Sequence, residues 1–227
     1  MTTETLTPAT HLVEAYEGVA TDCFTNARAD FVRLLPRDPS ARILEVGCGN
    51  GATGALALAR GRARHYAGIE SNESRGRAAR EILSDVRIGD VERMEFDWQP
   101  AAFDALIIPG GLDRLERPGA LLCRLSRYIR PGGMVLASAQ NMSHWRALRD
   151  LALYSSHFES RSASDNIQYR GMTPVSLCAM FEFAGFRIDH VGPAEPFTPR
   201  VDLVSRWTSG RFDHLFREEI VVQGRCR

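Results

Sequence analysis

Residues 43–51, reading Ile-Leu-Glu-Val-Gly-Cys-Gly-Asn-Gly, constrain this chain more than any other stretch. A short apolar run that ends in alternating glycines describes a buried strand entering a tight turn, and glycine lets a backbone bend sharply and approach a ligand closely. A helical pattern follows at once over residues 52–60, so the free N–H groups of a helix start face the same turn. A nucleotide-like cofactor fits that arrangement. Gly47, Gly49 and Ala52 also match the G-x-G-x-x-G/A dinucleotide fingerprint, so this stretch alone leaves a nicotinamide cofactor open.

The surrounding spacing says more. Ala67-Gly68-Ile69-Glu70 ends a second short strand with an acid, Ile88-Gly89-Asp90-Val91-Glu92 ends a third, and Phe103-Asp104-Ala105-Leu106-Ile107-Ile108 forms a fourth. A helix is expected over residues 120–129, then Arg130-Pro131-Gly132-Gly133 and a strand over residues 134–138. Strands alternating with helices argue for a mostly parallel sheet with helices on both faces. Before this run, residues 11–35 read as helical and residues 36–40 as a linker; after it come a helix over 142–154, a polar segment over 155–171 and a helix opened by Thr173-Pro174 and closed at Gly185. Residues 186–191 and 219–223 read as the last two strands.

In order and spacing these segments resemble the class I S-adenosylmethionine (SAM)-dependent methyltransferases, and the likeness covers most of the chain. The resemblance implies an α/β Rossmann-like fold, a mostly parallel seven-stranded sheet with an antiparallel edge strand, in a single domain over residues 1–227. Residues 1–40 would form an N-terminal helical cap and residues 155–172 a lid. A nicotinamide cofactor would share the glycine turn and Glu70, but gives no account of Asp90 or of the Phe103-Asp104 and Arg130-Pro131-Gly132-Gly133 pair. Aminopropyl transfer on a similar fold calls for an acidic polyamine site, which Pro109-Gly110-Gly111-Leu112 does not supply.

The composition sets bounds on the rest. At 227 residues the chain suits one sizeable α/β domain. Lys plus Arg and Asp plus Glu both total 28, and no basic run forms a stripe, so nucleic acid is not an expected partner. The polar start lacks a signal-peptide profile, and no apolar run approaches the roughly 18 residues of a membrane span. A cytoplasmic protein without membrane association is expected, and a homo-oligomer stays open. The 5 cysteines lack any C-x-x-C pair, which argues for reduced, packed thiols and no metal site.

A methyl sulfonium donor must be held at its amino-acid end, its ribose and its adenine. The turn at Gly47 and Gly49 can offer backbone donors to the carboxylate, with Cys48 a small residue tolerated beside the cofactor, while Glu45 suits the ammonium. Glu70 offers two acceptor oxygens at diol spacing, with Ser71 next to it. Asp90 suits the adenine amino group with Val91 in backbone contact; it equally suits the cap of the following turn. Pro109, closing the fourth strand, completes the cofactor set, and Tyr16, Asn26 and Arg28 are placed in the leading helix to close over it. Phe24, Phe31 and Leu34 read as that helix's packing face.

Ligands in open parallel sheets bind outside the carboxyl ends of the strands, which selects residues 109–114 and 139–145 for the acceptor. Within the family the chain resembles small bacterial methyltransferases of sugar, glycan or natural-product modification, whose fifth-strand loop carries Asn-x-x-His-Trp; Asn141, His144 and Trp145 match it. That group also carries Leu-Glu-His-Leu and Asp-x-x-His-x-Arg motifs, where this chain has Leu112-Asp113-Arg114-Leu115 and Asp165-Asn166-Ile167-Gln168-Tyr169-Arg170. Both family histidines are replaced. His144 is therefore the catalytic candidate, to deprotonate or orient an acceptor hydroxyl, and equally a residue that caps a helix or packs beside Trp145. Gly111, Arg114, Asn141, Trp145, Asp165, Tyr169 and Arg170 are the substrate-binding candidates, although Asp165 and Arg170 equally suit a structural pair that pins the 155–171 segment.

Two functions follow. One is methyl transfer from SAM to a small molecule, O-methylation favoured, on a sugar-bearing or secondary metabolite. The other is a SAM-binding protein without turnover that acts as a binding or regulatory partner, motivated by the two replaced histidines.

Overall fold

The computed structural model describes residues 27–153, 171–192, 207 and 213–227. Its seven strands are β1 (Arg42–Val46), β2 (His65–Glu70), β3 (Asp85–Ile88), β4 (Phe103–Pro109), β5 (Ile129–Gln140), β6 (Phe186–Gly192) and β7 (Glu219–Cys226). The chain divides into two compact units, Met1–Met94 and Glu95–Arg227. In the first unit the strands run parallel in the order β3-β2-β1, and in the second they follow the order β4-β5-β7-β6, with β4 parallel to β5 and β7 antiparallel to β5 and to β6, a mostly parallel Rossmann-like arrangement.

In the first unit, Ile43, Leu44 and Val46 of β1 are all buried, the unbroken apolar run of a strand covered on both faces. β1 pairs with β2 so that Glu45 stands opposite Gly68, and β2 pairs with β3 with Glu70 opposite Ile88. Helix α1 (Ala29–Leu34) buries Phe31 and Val32, whereas Leu34, expected on the same packing face, is 39% exposed. Helix α2 (Ala52–Ala59) packs through small residues. A Cβ on its Gly54 would come within 2.7 Å of the Tyr66 ring, so the helix approaches β2 more closely than any side chain would permit. Helix α3 (Glu73–Arg80) starts where the Asn72 side chain accepts the Arg75 N–H at 3.0 Å.

In the second unit, β4 and β5 pair in parallel, with Ile107 opposite Leu136. Helix α4 spans Pro118–Ser126, shorter at its end than the expected 120–129, and β5 begins at Ile129 instead of 134. Ile129 is buried opposite Phe103, so its apolar side chain is satisfied in the sheet, and the register shift beyond Phe103 absorbs Arg130 to Gly133, with Gly132 at φ +74°. Phe96, Trp98, Phe103 and Tyr128 form an aromatic cluster, with Phe96 stacked on Trp98 at 5.1 Å. Helix α5 (Trp145–Leu153) starts three residues later than the sequence pattern suggests. Helix α6 (Pro174–Phe183) opens on a capping box between Thr173 and Ser176, as the Thr173-Pro174 pair predicts. The end of the expected lid is anchored, because Met142 donates its N–H to the Met172 carbonyl at 2.9 Å. Asp165, Tyr169 and Arg170, like Tyr16, Phe24 and Asn26, lie outside the described residues. Among the described residues no helix is long and apolar enough to cross a membrane.

Candidate functional site

The first unit holds the glycine turn. Beyond β1 the chain passes Gly47, Gly49 and Gly51 at φ of +77°, +56° and +89°, left-handed backbone in which a side chain is strained. The N–H groups of Gly47 and Cys48 both donate to the Ile69 carbonyl, at 2.8 and 3.1 Å, tying the turn to the end of β2. Among the described residues, a Cβ on Gly47 or Gly49 would meet nothing within 4 Å. These two glycines therefore border open space, while Gly51 leads directly into α2.

Glu70 closes β2 and is buried. Its Oε2 accepts the Gly49 N–H at 2.8 Å, and its Oε1 accepts the Asn72 N–H at 2.8 Å and the Ser71 hydroxyl at 3.4 Å. Backbone groups on two sides thus fix the orientation of the carboxylate; Oε2 keeps a lone pair for a ligand hydroxyl, and Oε1 gains one where a ligand hydroxyl replaces the long Ser71 bond. The orientation comes from local geometry: Glu70 ends a strand, and Asn72 begins the cap of α3.

Glu45 is 1% exposed. The Tyr66 hydroxyl donates to its Oε2 at 2.9 Å, and the Thr53 hydroxyl also reaches the carboxyl. Burial pushes its pKa up to about 8; the two hydroxyls oppose that rise and the charge of Glu70 adds to it. Cys48 is a buried thiol whose pKa is pushed far up, first by burial and then by the charges of Glu45 and Glu70, which makes it a poor nucleophile at neutral pH. Asp90 is exposed and caps the turn after β3, its Oδ1 accepting the Glu92 N–H at 2.9 Å; it also pairs with Arg93 at 3.2 Å. Val91, next to it, is buried.

The second unit holds the remaining described candidates. Pro109 ends β4, and Gly110 and Gly111, at φ +94° and +84°, turn the chain into a 3-10 turn over Leu112–Arg114 that packs against β5. Asp113 in that turn is buried, and burial raises its pKa. Asn141 is 1% exposed and works as a staple. Its amide donates to the Arg217 carbonyl at 2.7 Å and accepts the Ser143 N–H at 2.9 Å, while its backbone N–H donates to the Glu218 carbonyl at 2.8 Å. Those bonds join the end of β5 to the start of β7.

His144 is buried just ahead of α5, and its Nδ1 accepts the Arg146 N–H at 3.3 Å. Burial lowers its pKa, with Glu218 opposing and Arg146 reinforcing, so the imidazole is neutral near pH 7. Trp145 is 40% exposed, and the guanidinium groups of Arg146 and Arg149 each lie 5.5 Å from its ring centroid. Among the described residues no group of three or more His, Cys, Asp or Glu side chains could hold a metal ion.

The family comparison agrees with this geometry. A model of the methyltransferase domain matches residues 20–191. The chain belongs to the methyltransferase domain family, a family of enzymes. This methyltransferase-family chain is 32% identical over 115 residues to a trans-aconitate 2-methyltransferase of Azoarcus sp. (strain BH72), covering 49% of the chain and 44% of that relative. It is 29% identical over 189 residues to a ubiquinone biosynthesis O-methyltransferase of Xylella fastidiosa (strain M23), covering 79% of the chain and 75% of that relative. The chain thus spans less than half the length of the first relative and three quarters of the second. Among solved structures, an S-adenosylmethionine-dependent methyltransferase from Mesorhizobium loti shares its fold, with a TM-score of 0.64 at 18% identity over 89% of this chain and 99% of that one.

Sequence reasoning did not pick out Tyr66, Thr53 or Asp113. Tyr66 and Thr53 lie 21 and 8 residues from Glu45, and only the register of β1 on β2 and the seating of α2 bring their hydroxyls to its carboxyl. The one available signal was a hydroxyl residue in the first turn of the helix after the glycines.

Proposed function

We propose that this chain binds SAM and transfers its methyl group to an oxygen of a small-molecule acceptor. The observation that carries the reading is Glu70, whose carboxylate is held by backbone N–H groups on both oxygens next to two glycines bordering open space. A fixed acid suits a ribose diol, and a bare backbone suits close approach by the methionine end of the cofactor. Glu45 is the candidate for the cofactor's ammonium, Asp90 and Val91 for its adenine, and Ser71, Cys48 and Pro109 complete the set. The family match runs through both units, which supports reading residues 1–227 as one methyltransferase domain.

Bound SAM supplies an electrophilic methyl group. The chain's own task is to orient: holding an acceptor oxygen in line with that group removes about 7–11 kcal/mol of barrier. His144 is the residue assigned to the acceptor, with Gly111, Arg114, Asn141, Trp145, Asp165, Tyr169 and Arg170 as its companions. An imidazole that accepts at Nδ1 carries its proton on Nε2, so His144 presents a donor to an acceptor oxygen. That supports orientation of the nucleophile over proton abstraction from it.

Both curated relatives are named for methyl transfer to small molecules, and one of them for O-methylation, which supports a small acceptor and an oxygen nucleophile. A sugar-bearing or secondary metabolite is the narrower reading, from Asn141, His144 and Trp145. The test is calorimetric titration with SAM, S-adenosylhomocysteine and NAD, followed by a labelled-SAM screen across phenols, carboxylic acids and glycosides. Binding of both adenosyl ligands but not NAD, with label moving to an oxygen acceptor, is expected. NAD binding without response to either adenosyl ligand overturns the cofactor, and SAM binding without any labelled product favours a non-catalytic partner.

A further inference from the structure

Glu45 is an acid in surroundings that disfavour its charge. It is 1% exposed, and among the described residues its partners are hydroxyls, with no salt bridge. Among the described residues the cation whose charge acts on Glu45 is Arg28, whose guanidinium is bound at two points to Asp30, at 3.0 and 2.8 Å. Among the described residues, the other groups that act on Glu45 offer no positive charge: Glu70 at the end of β2 is an acid, and the Cys48 thiol and Tyr66 phenol both have pKa values driven up by burial. An unpaired carboxylate is costly to bury and tends to take a proton instead.

The two hydroxyls are themselves fixed. Tyr66 is fully buried on β2, with Gly54 of α2 against its ring. Thr53 accepts the Arg28 N–H at 3.2 Å, which leaves its own hydrogen directed to Glu45. Two O–H donors aimed at one carboxyl stabilise its ionised form whenever a cation is near enough to share it.

We propose that burial keeps Glu45 a neutral acid in the free protein, and that Tyr66 and Thr53 are positioning residues that hold its carboxyl and stabilise its carboxylate when the cofactor's ammonium arrives, so that binding releases one proton. The Glu45 O–H bond breaks, its electron pair stays on the carboxylate, and the proton passes to solvent. The ammonium enters already charged and leaves unchanged. This rests on the SAM-binding reading above. It goes further, because cofactor affinity becomes coupled to pH through a residue that takes no part in methyl transfer.

The experiment is titration of the full chain with S-adenosylhomocysteine in buffers of different ionisation enthalpy, with methylthioadenosine, which lacks the amine, as the control probe. Close to one proton released per S-adenosylhomocysteine near pH 6.5 is expected, with affinity rising by up to about tenfold per pH unit and levelling off near pH 8. Methylthioadenosine should release none. Tyr66→Phe removes one O–H donor and keeps the ring: its affinity should drop several-fold near pH 6.5 and recover to within about twofold near pH 8.5, whereas a merely structural loss would be equal at both. Glu45→Gln should bind without proton release. Binding with no proton release and an affinity flat with pH overturns the inference and leaves SAM binding standing; no binding of either probe overturns the SAM reading itself.

Discussion

Cys48 occupies the space that Gly68 leaves: its Sγ lies 2.5 Å, and its Cβ 2.9 Å, from where a Cβ on Gly68 would sit. The glycine turn after β1 can therefore fold down onto β2 only because that strand lacks a side chain opposite Glu45. A packing constraint in the middle of one strand thus sets the position of the turn on its neighbour.

Gly68→Ala should push the turn away from β2, with a loss of about 1–3 kcal/mol typical of an overpacked core. S-adenosylhomocysteine affinity should fall with it, because the Gly47 and Cys48 N–H bonds to Ile69 must lengthen. Cys48→Ala removes the Sγ contact and should restore part of both losses in the double mutant, as read by denaturant unfolding and calorimetry. Strictly additive effects would show that the two residues do not share this space.

Glu70→Ala should weaken SAM binding by about 1–3 kcal/mol, since charge-assisted bonds to the ribose are lost together with the Gly49 and Asn72 tethers. Calorimetry on the folded mutant is the check. Unchanged affinity would place the ribose elsewhere.

The contribution of Glu45 to stability should fall as pH rises from about 4.5 to about 8, against an opposite contribution from His65 and His144, whose pKa values burial lowers. The folded-state pKa of Glu45 lies above the unfolded value, so the native state binds the extra proton and the contribution is full below the unfolded pKa. It is lost as pH rises through the folded pKa, by an amount on the order of a few kcal/mol. Glu45→Gln should remove this contribution in urea melts taken at pH 5, 6.5 and 8. A pH slope identical in the wild type and Glu45→Gln contradicts the assignment.

His144→Ala should lower turnover at least tenfold while SAM affinity stays within about twofold, because the side chain is assigned to the acceptor. The loss of the Arg146 N–H bond at the start of α5 should cost about 1 kcal/mol of stability at the same time. His144→Asn keeps a capping acceptor, so it should restore stability without restoring turnover. Recovery of both would reduce the residue to a helix cap.

Much of this protein is written locally. The buried run of β1, the left-handed glycines, the acids that end β2 and follow β3, and the Thr173-Pro174 start of α6 each depend on residues a few positions apart, and each appears where the sequence puts it. The start of β5 does not, because an apolar residue such as Ile129 satisfies a helix end or a buried strand equally well until Phe103 is set opposite it. The same holds for Asn141 and His144. As a motif Asn141 reads as a substrate-binding residue and His144 as a catalytic candidate or, equally, a helix cap; the fold engages the first with Arg217 and Glu218 and the second with the start of α5. The surroundings of Glu45 are furthest from the sequence: strand register and the close approach of α2 bring two hydroxyls to a carboxyl that is 1% exposed and, among the described residues, has no salt bridge. Sequence alone determined that an acid stands before the glycine turn; whether that acid carries a charge was decided by the tertiary structure, because burial and long-range partners, not chain neighbours, set the energy of ionising it.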